Sequence, residues 1–331
     1  MNSPTWSRVT TRYASQLSKN RGGKEDQTFT LQDGRVLGYA EYGHPNGFPL
    51  LYFHGYPSSR LEASAVDNLT KRLRLRILSP DRPGFGLSSF QPNRRIIDYP
   101  ADIKAFAQHL QLSKFAVLGG SGGGPYALAC AHTLPREMLS AVGVMAGAPP
   151  WEAGPEKMTL GRRWLRWAAV NTPTALRILT DGLVGLLRWI VSTGPITKRI
   201  DKWLESTSKG EQEKEPLLAA EEPRSVVERR EQLLRLAFEG FAQGSAASVQ
   251  EARLLSEQDW GFKFEDIDFP VKLWHGTNDA DAPVEMIRYM ANRLPHGVLK
   301  EFDETHFTLA NHLEEILAEF NPDTSSNPKE A

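Results

Sequence analysis

One stretch limits the folds open to this chain more than any other. The apolar residues 115–118 lead straight into Gly119-Gly120-Ser121-Gly122-Gly123-Gly124-Pro125 and then into the helix-like Tyr126-Ala127-Leu128-Ala129-Cys130-Ala131. As strand, sharp turn and helix, this is the pattern Gly119-x-Ser121-x-Gly123, a nucleophile elbow in which a serine sits on a strained strand-to-helix turn with its hydroxyl exposed. A side chain at either glycine would strike the neighbouring strand or helix as the chain reverses. Two other readings of the glycines fail. Gly122-x-Gly124-x-x-Ala127 fits a dinucleotide fingerprint, but the acidic residue expected about twenty positions on is missing, because residues 142–147 read Val-Gly-Val-Met-Ala-Gly. No Lys-Ser or Lys-Thr pair follows the run, which removes a phosphate loop.

Around this turn, short apolar strands alternate with helices. Residues 28–31, the Asp33-Gly34 turn and residues 36–42 read as a hairpin. Strands follow at 50–53, 77–79, 115–118 and 141–145, separated by helical stretches at 61–73, 102–110 and 124–132. This alternation predicts a mostly parallel, doubly wound α/β sheet covered on both faces. It stops near Pro149-Pro150. Residues 151–258 read as helices only, at 158–170, 174–191, 225–241 and 246–256, with a charged linker over 201–222. Strands at 271–274 and 298–302 then alternate with helices at 284–294 and 309–320. The expected organisation is a polar amino-terminal extension (1–26), a core from 27–150 and 259–320, an inserted helical cap (151–258) and a disordered tail (321–331).

A serine hydroxyl attacks poorly unless a base takes its proton, and the base works best when a third group fixes its tautomer. The required groups follow later strands: Asp279 in Gly276-Thr277-Asn278-Asp279, and His306 in Asp303-Glu304-Thr305-His306. Residues just past the carboxyl ends of parallel strands share one edge of the sheet, so Ser121, Asp279 and His306 can meet there. Asp281 is a second candidate for the acid. Acyl transfer also needs two N–H groups aimed at the developing oxyanion. The amide of Gly122 is one candidate, and that of Tyr56, in Phe53-His54-Gly55-Tyr56-Pro57, is the other. His54, His275 and His312 read as residues bonded locally or held at the surface.

With these pieces the chain resembles the α/β-hydrolase superfamily over residues 27–320, and within it the capped enzymes of the epoxide hydrolase and esterase type. Asp81-Arg82-Pro83-Gly84-Phe85-Gly86-Leu87-Ser88 looks like that family's D-x-P-G-x-G-x-S turn, and the chain order Ser, Asp, His matches. The resemblance implies an α/β-hydrolase fold with Ser121 as nucleophile, His306 as base, Asp279 as orienting acid, and the Tyr56 and Gly122 amides as oxyanion hole. It puts Asp279 ahead of Asp281, because Asp279 fills the position after Gly-x-x. Epoxide hydrolases and haloalkane dehalogenases carry aspartate at the elbow; serine there implies acyl chemistry instead. The Gly-Gly-Pro-Gly run of proline iminopeptidases is absent, which lowers the weight of peptide substrates. The expected activity is hydrolysis of a carboxylic ester, lactone or thioester of an apolar small molecule through an acyl-serine. Acyl transfer, lactone formation from a thioester, and a non-catalytic small-molecule receptor are the alternatives.

Composition narrows the partners. Thirty-nine basic against forty acidic residues leave a net charge of −1, so no overall field favours nucleic acid or an anionic membrane. No stretch is apolar enough for stable membrane insertion, and no His and carboxylate spacing calls for a metal or other cofactor. The single cysteine, Cys130, suits a reducing compartment, and the cytoplasm is the expected location. Five basic and no acidic residues in 1–24 leave an organelle as the alternative, against a polar extension helical over 5–17. Five of the eight tryptophans lie in the inserted block. Trp151, Trp164 and Trp167, with Phe307 beside the base, are candidates for lining an apolar pocket.

Overall fold

A computed structural model of the protein describes residues 24–212 and 225–322. Among these residues eight strands form one sheet: β1 (Gln27–Thr30), β2 (Val36–Gly43), β3 (Phe48–Phe53), β4 (Leu75–Pro80), β5 (Phe115–Gly120), β6 (Leu139–Met145), β7 (Val271–Gly276) and β8 (Gly297–Phe302). Their spatial order is β1-β2-β4-β3-β5-β6-β7-β8. β2 runs antiparallel to both β1 and β4, and every other pair is parallel. Every residue of the central β5 is buried, whereas the edge strand β8 alternates. That is why the elbow is preceded by an unbroken apolar run: a strand covered on both faces has no solvent side to encode.

Ten α-helices accompany the sheet among the described residues: α1 (Asp67–Arg72), α2 (Tyr99–His109), α3 (Gly124–Thr133), α4 (Leu160–Asn171), α5 (Pro173–Ser192), α6 (Gly194–Gln212), α7 (Val226–Phe238), α8 (Ala246–Leu255), α9 (Val284–Arg293) and α10 (Leu313–Ala318). One face of the sheet packs on α2, α3 and α9, through side chains such as Phe106, Leu128 and Ile287. The other packs on α10 and the segment around α1, with Ala63, Ile316 and Phe320 in its core. Cys130 is buried in α3, and burial pushes its thiol pKa up.

The helices α4 to α8 all fall between β6 and β7. Thr159 caps α4, and Ser225 caps α7 in a box closed by Glu228. α8 holds α4 and α5 through a small cluster of Val249 and Ala252 against Ala168, Ala169 and Leu176. Several expectations change here. The charged stretch expected as a linker is helical through Gln212, as part of α6. Leu204 is buried, and Asp201 pairs with Arg230 of α7 at 2.6 Å, so tertiary contacts hold a sequence that reads as solvated. The rest of that linker, 213–222, lies outside the described residues.

The stretch at 61–73 is split into 3-10 turns (Arg60–Val66) followed by α1, and the closing helix likewise begins as 3-10 turns (Thr308–His312) before α10. Asn321, expected in the disordered tail, belongs to the fold. It is buried and its Nδ2 donates to the carbonyl of Leu73 at 2.9 Å. At the other end, Asp26 pairs with Arg60 at 2.6 Å and Glu25 with Arg235 at 3.0 Å. Residues 1–23, including the helix expected over 5–17, and residues 323–331 lie outside the described residues.

Candidate active site

Ser121 follows β5 directly and has φ of +49°, in the left-handed region that L-residues rarely occupy. The close approaches account for the flanking glycines. A Cβ on Gly119 would lie 2.4 Å from the carbonyl oxygen of Gly123, and one on Gly123 would lie 2.1 Å from that of Phe53. Both obstacles are backbone atoms, which cannot move aside as a side chain can.

The three distant side chains meet at this turn. His306 Nε2 is 3.0 Å from Ser121 Oγ, and His306 Nδ1 is 2.7 Å from Asp279 Oδ2. An ionised carboxylate only accepts, so Nδ1 carries the proton and Nε2 is left to accept from the serine hydroxyl. Asp279 is buried, which by itself would raise its pKa. The hydrogen bond and charge of His306, with the amide of Ala282, outweigh burial and hold the carboxyl below its ordinary 3.8. Oδ1 accepts the amides of Asp281 (2.9 Å) and Ala282 (2.8 Å), so both oxygens are fixed. Asp281 is placed otherwise: it pairs with Arg162 at 3.1 Å. Asp279, Asp281 and His306 bring ligand-type atoms within 4.8 Å of one another, but the first and last spend theirs on each other.

The backbones of Gly122 and Tyr56 lie side by side next to Ser121. A Cβ on Gly122 would be 2.7 Å from Tyr56 Cβ and 3.2 Å from Tyr56 N. The turn bearing Tyr56 is held by residues that inspection of the sequence missed. Gly55 N donates to both oxygens of Glu62, at 3.1 and 3.0 Å, and Tyr52 OH donates to the same carboxylate at 2.5 Å. From below, the buried Arg82 donates to the carbonyls of His54 and Gly55, and its Nε donates to Glu251 Oε1 at 2.8 Å. Glu251 also accepts from Arg94, and from Tyr126 OH at 2.8 Å. Burial alone would raise the pKa of Glu251; the two guanidinium groups more than compensate and hold it below 4.5.

A signal for Glu251 did exist. On α8 it sits three residues after Ser248 and one before Ala252, with Leu255 four further on, so it falls inside a buried helical stripe where only a paired carboxylate survives. His54 is a local residue: Arg82 N donates to its Nε2 at 3.2 Å, leaving Nδ1 to donate to Gly55 O at 2.9 Å. Burial, reinforced by the charge of Arg82, holds its pKa well below the usual 6.5. His275 donates from Nε2 to Ala282 O at 2.8 Å, beneath Asp279. His312 is half-buried against the ring of Phe302.

Residues 49–313 match the profile of the family described as alpha/beta hydrolase fold. The chain belongs to that family. This alpha/beta hydrolase is 30% identical over 162 residues to Lipase 1 of Psychrobacter immobilis, a match covering 46% of this chain and only 48% of that enzyme's length. It is 25% identical over 299 residues to the non-heme chloroperoxidase of Streptomyces lividans, covering 84% of this chain and 95% of that one. Among solved structures, the esterase EaEST from Exiguobacterium antarcticum superposes with a TM-score of 0.60 over 91% of this chain and 100% of its own, at 17% identity, a likeness of fold.

In this alpha/beta hydrolase the serine faces a cavity bounded by Tyr56, Trp151, Met158, Arg162, Leu255 and His306 among others. Of the aromatic candidates only Trp151 lines it. Trp164 and Trp167 do not: α4 turns the small Ala168 and Ala169 towards α8, which leaves both indoles outward and more than half exposed. Phe307 is also displaced from the pocket. It stands 78% exposed with its ring edge-on to His306, centroids 5.4 Å apart.

Proposed function

We propose that this protein is a serine hydrolase that cleaves carboxylic esters, lactones or thioesters of apolar small molecules. Ser121 Oγ attacks the acyl carbon while His306 Nε2 takes its proton, and the negative charge moves onto the former carbonyl oxygen. The amides of Tyr56 and Gly122 receive that oxyanion. Collapse of the tetrahedral species expels the alcohol or thiol, which leaves with the proton from His306. A water, activated by the same imidazole, then releases the acid and restores the serine. Asp279 keeps Nδ1 protonated throughout and stabilises the imidazolium when it forms.

The observation that carries this reading is the unbroken hydrogen-bonded series from Ser121 through His306 to Asp279, beside the closely packed backbones of Gly122 and Tyr56. The lipase likeness supports the choice of ester bonds. The helices α4 to α8 act as the cap. Met158, just before α4, and Arg162 in its first turn line the cavity beside Ser121, so the start of the cap borders the place where the acyl chain enters. The test is labelling with a fluorophosphonate together with turnover of a short p-nitrophenyl ester. Both should occur in the parent, and Ser121→Ala should lose labelling and about ten-thousand-fold or more in turnover. Undiminished hydrolysis in folded Ser121→Ala would refute the assignment, and labelling without turnover would favour a receptor.

A further inference from the structure

The helices α4 to α6 present apolar side chains to the outside. On α4, Leu160, Trp164 and Trp167 recur at i, i+4 and i+7, each more than half exposed. On α5, Ile178, Leu179, Leu183, Leu186 and Trp189 are all more than half exposed, while Leu176 alone is buried. Isolated apolar residues on a surface need no partner; two consecutive helices that both carry such a stripe do.

The charge on the same helices is segregated. Arg163, Arg177, Lys198, Arg199 and Lys202 are exposed, and none has an ion-pair partner among the described residues. The acidic residues are largely spent inward: Asp181 accepts the amide of Ser245 at 2.7 Å, and Asp201 pairs with Arg230. Among the described side chains of these helices, Glu205 is the exposed exception. The near-zero charge of the whole chain therefore conceals a basic, Trp-rich and Leu-rich face.

We propose that the face formed by α4, α5 and α6 docks on an anionic lipid bilayer. Leucine and isoleucine side chains enter the acyl boundary, the indoles sit at headgroup level, and arginine and lysine meet the lipid phosphates. The helices lie in the interface and do not cross it, since no helix among the described residues is long and apolar enough to span a membrane. A second copy of the chain is the poorer occupant: a two-fold contact brings the same patch against itself, and here that sets cation against cation. The inference goes beyond the ester-cleaving reading and does not depend on it.

Co-sedimentation of the full chain with vesicles tests it. The protein should bind vesicles of phosphatidylcholine and phosphatidylglycerol in equal parts, bind pure phosphatidylcholine more weakly, and release as salt rises. Trp164→Ser with Trp189→Ser, and separately Arg163→Glu with Lys202→Glu, should each lower the affinity about tenfold or more. The charge variant should also lose the salt dependence, while Ser121→Ala should bind like the parent. Should a variant not fold, the salt dependence of the parent decides by itself. No binding of the parent to the anionic vesicles, binding indifferent to salt or to both variants, or a dimer in solution that these substitutions dissolve would overturn the proposal.

Discussion

Helices α5 and α8 enter the molecule through the same insertion between β6 and β7, and α5 carries the more apolar sequence, yet α8 is the one that is buried. Seven of its residues are buried, including Ser248 and Glu251, whereas α5 buries Leu176 alone. Polar contacts made the difference. Glu251 joins two guanidinium groups of the core, and Tyr56 OH donates to the carbonyl of Ser248 at 3.0 Å. α8 is thereby part of the support for the turn that carries Tyr56, while α5 is an outer layer free to meet something else. Hydrophobicity summed along a helix does not decide its depth; complementary partners on the core do.

The difference in depth between α5 and α8 rests most heavily on Glu251. Glu251→Ala leaves Arg82 and Arg94 charged, buried and unpaired, and should cost about 3–5 kcal/mol in urea denaturation, with ester turnover falling because Arg82 grips the His54 and Gly55 carbonyls. A loss below about 0.5 kcal/mol would put α8 in the same class as α5. Acid should act on the same contact. The folded-state pKa of Glu251 is depressed, so its contribution is present above the unfolded value of 4.5 and is lost as pH falls through the lower folded value. Stability measured from pH 4.5 downward should decline in the parent, and Glu251→Gln should flatten that decline. Tyr56→Phe removes the hydroxyl bond to α8 but keeps the amide; about 1 kcal/mol of stability should go, with kcat little changed. Least of all, Leu183→Ser on α5 should shift stability by no more than about 0.5 kcal/mol either way in the same denaturation assay.

The order of strands and helices, and the residues on the sheet's carboxyl edge, were legible because each reports on its neighbours in the chain. β5 reads as a covered strand from its unbroken apolar run, and Gly119 and Gly123 announce the turn. The roles of Trp164, Trp167 and Phe307 were not legible. An aromatic side chain at helical spacing looks alike whether it points to a pocket or to the outside, and the direction was settled by Ala168 and Ala169 packing on a helix some eighty residues later. The charged stretch at 201–212 likewise reads as solvent-exposed until Leu204 and the Asp201–Arg230 pair tie it to α7.

Sequence alone placed Ser121 on its turn and put Asp279 and His306 just past neighbouring strands, because strand ends and tight turns are local properties. Tertiary structure alone decided that Glu251, Arg82 and Arg94 share one buried site, and that the most apolar inserted helix faces outward. A helical stripe signals that Glu251 is buried and paired, but the partners are charges brought together across more than one hundred and fifty residues, from Arg94 to Glu251, and no local pattern names them.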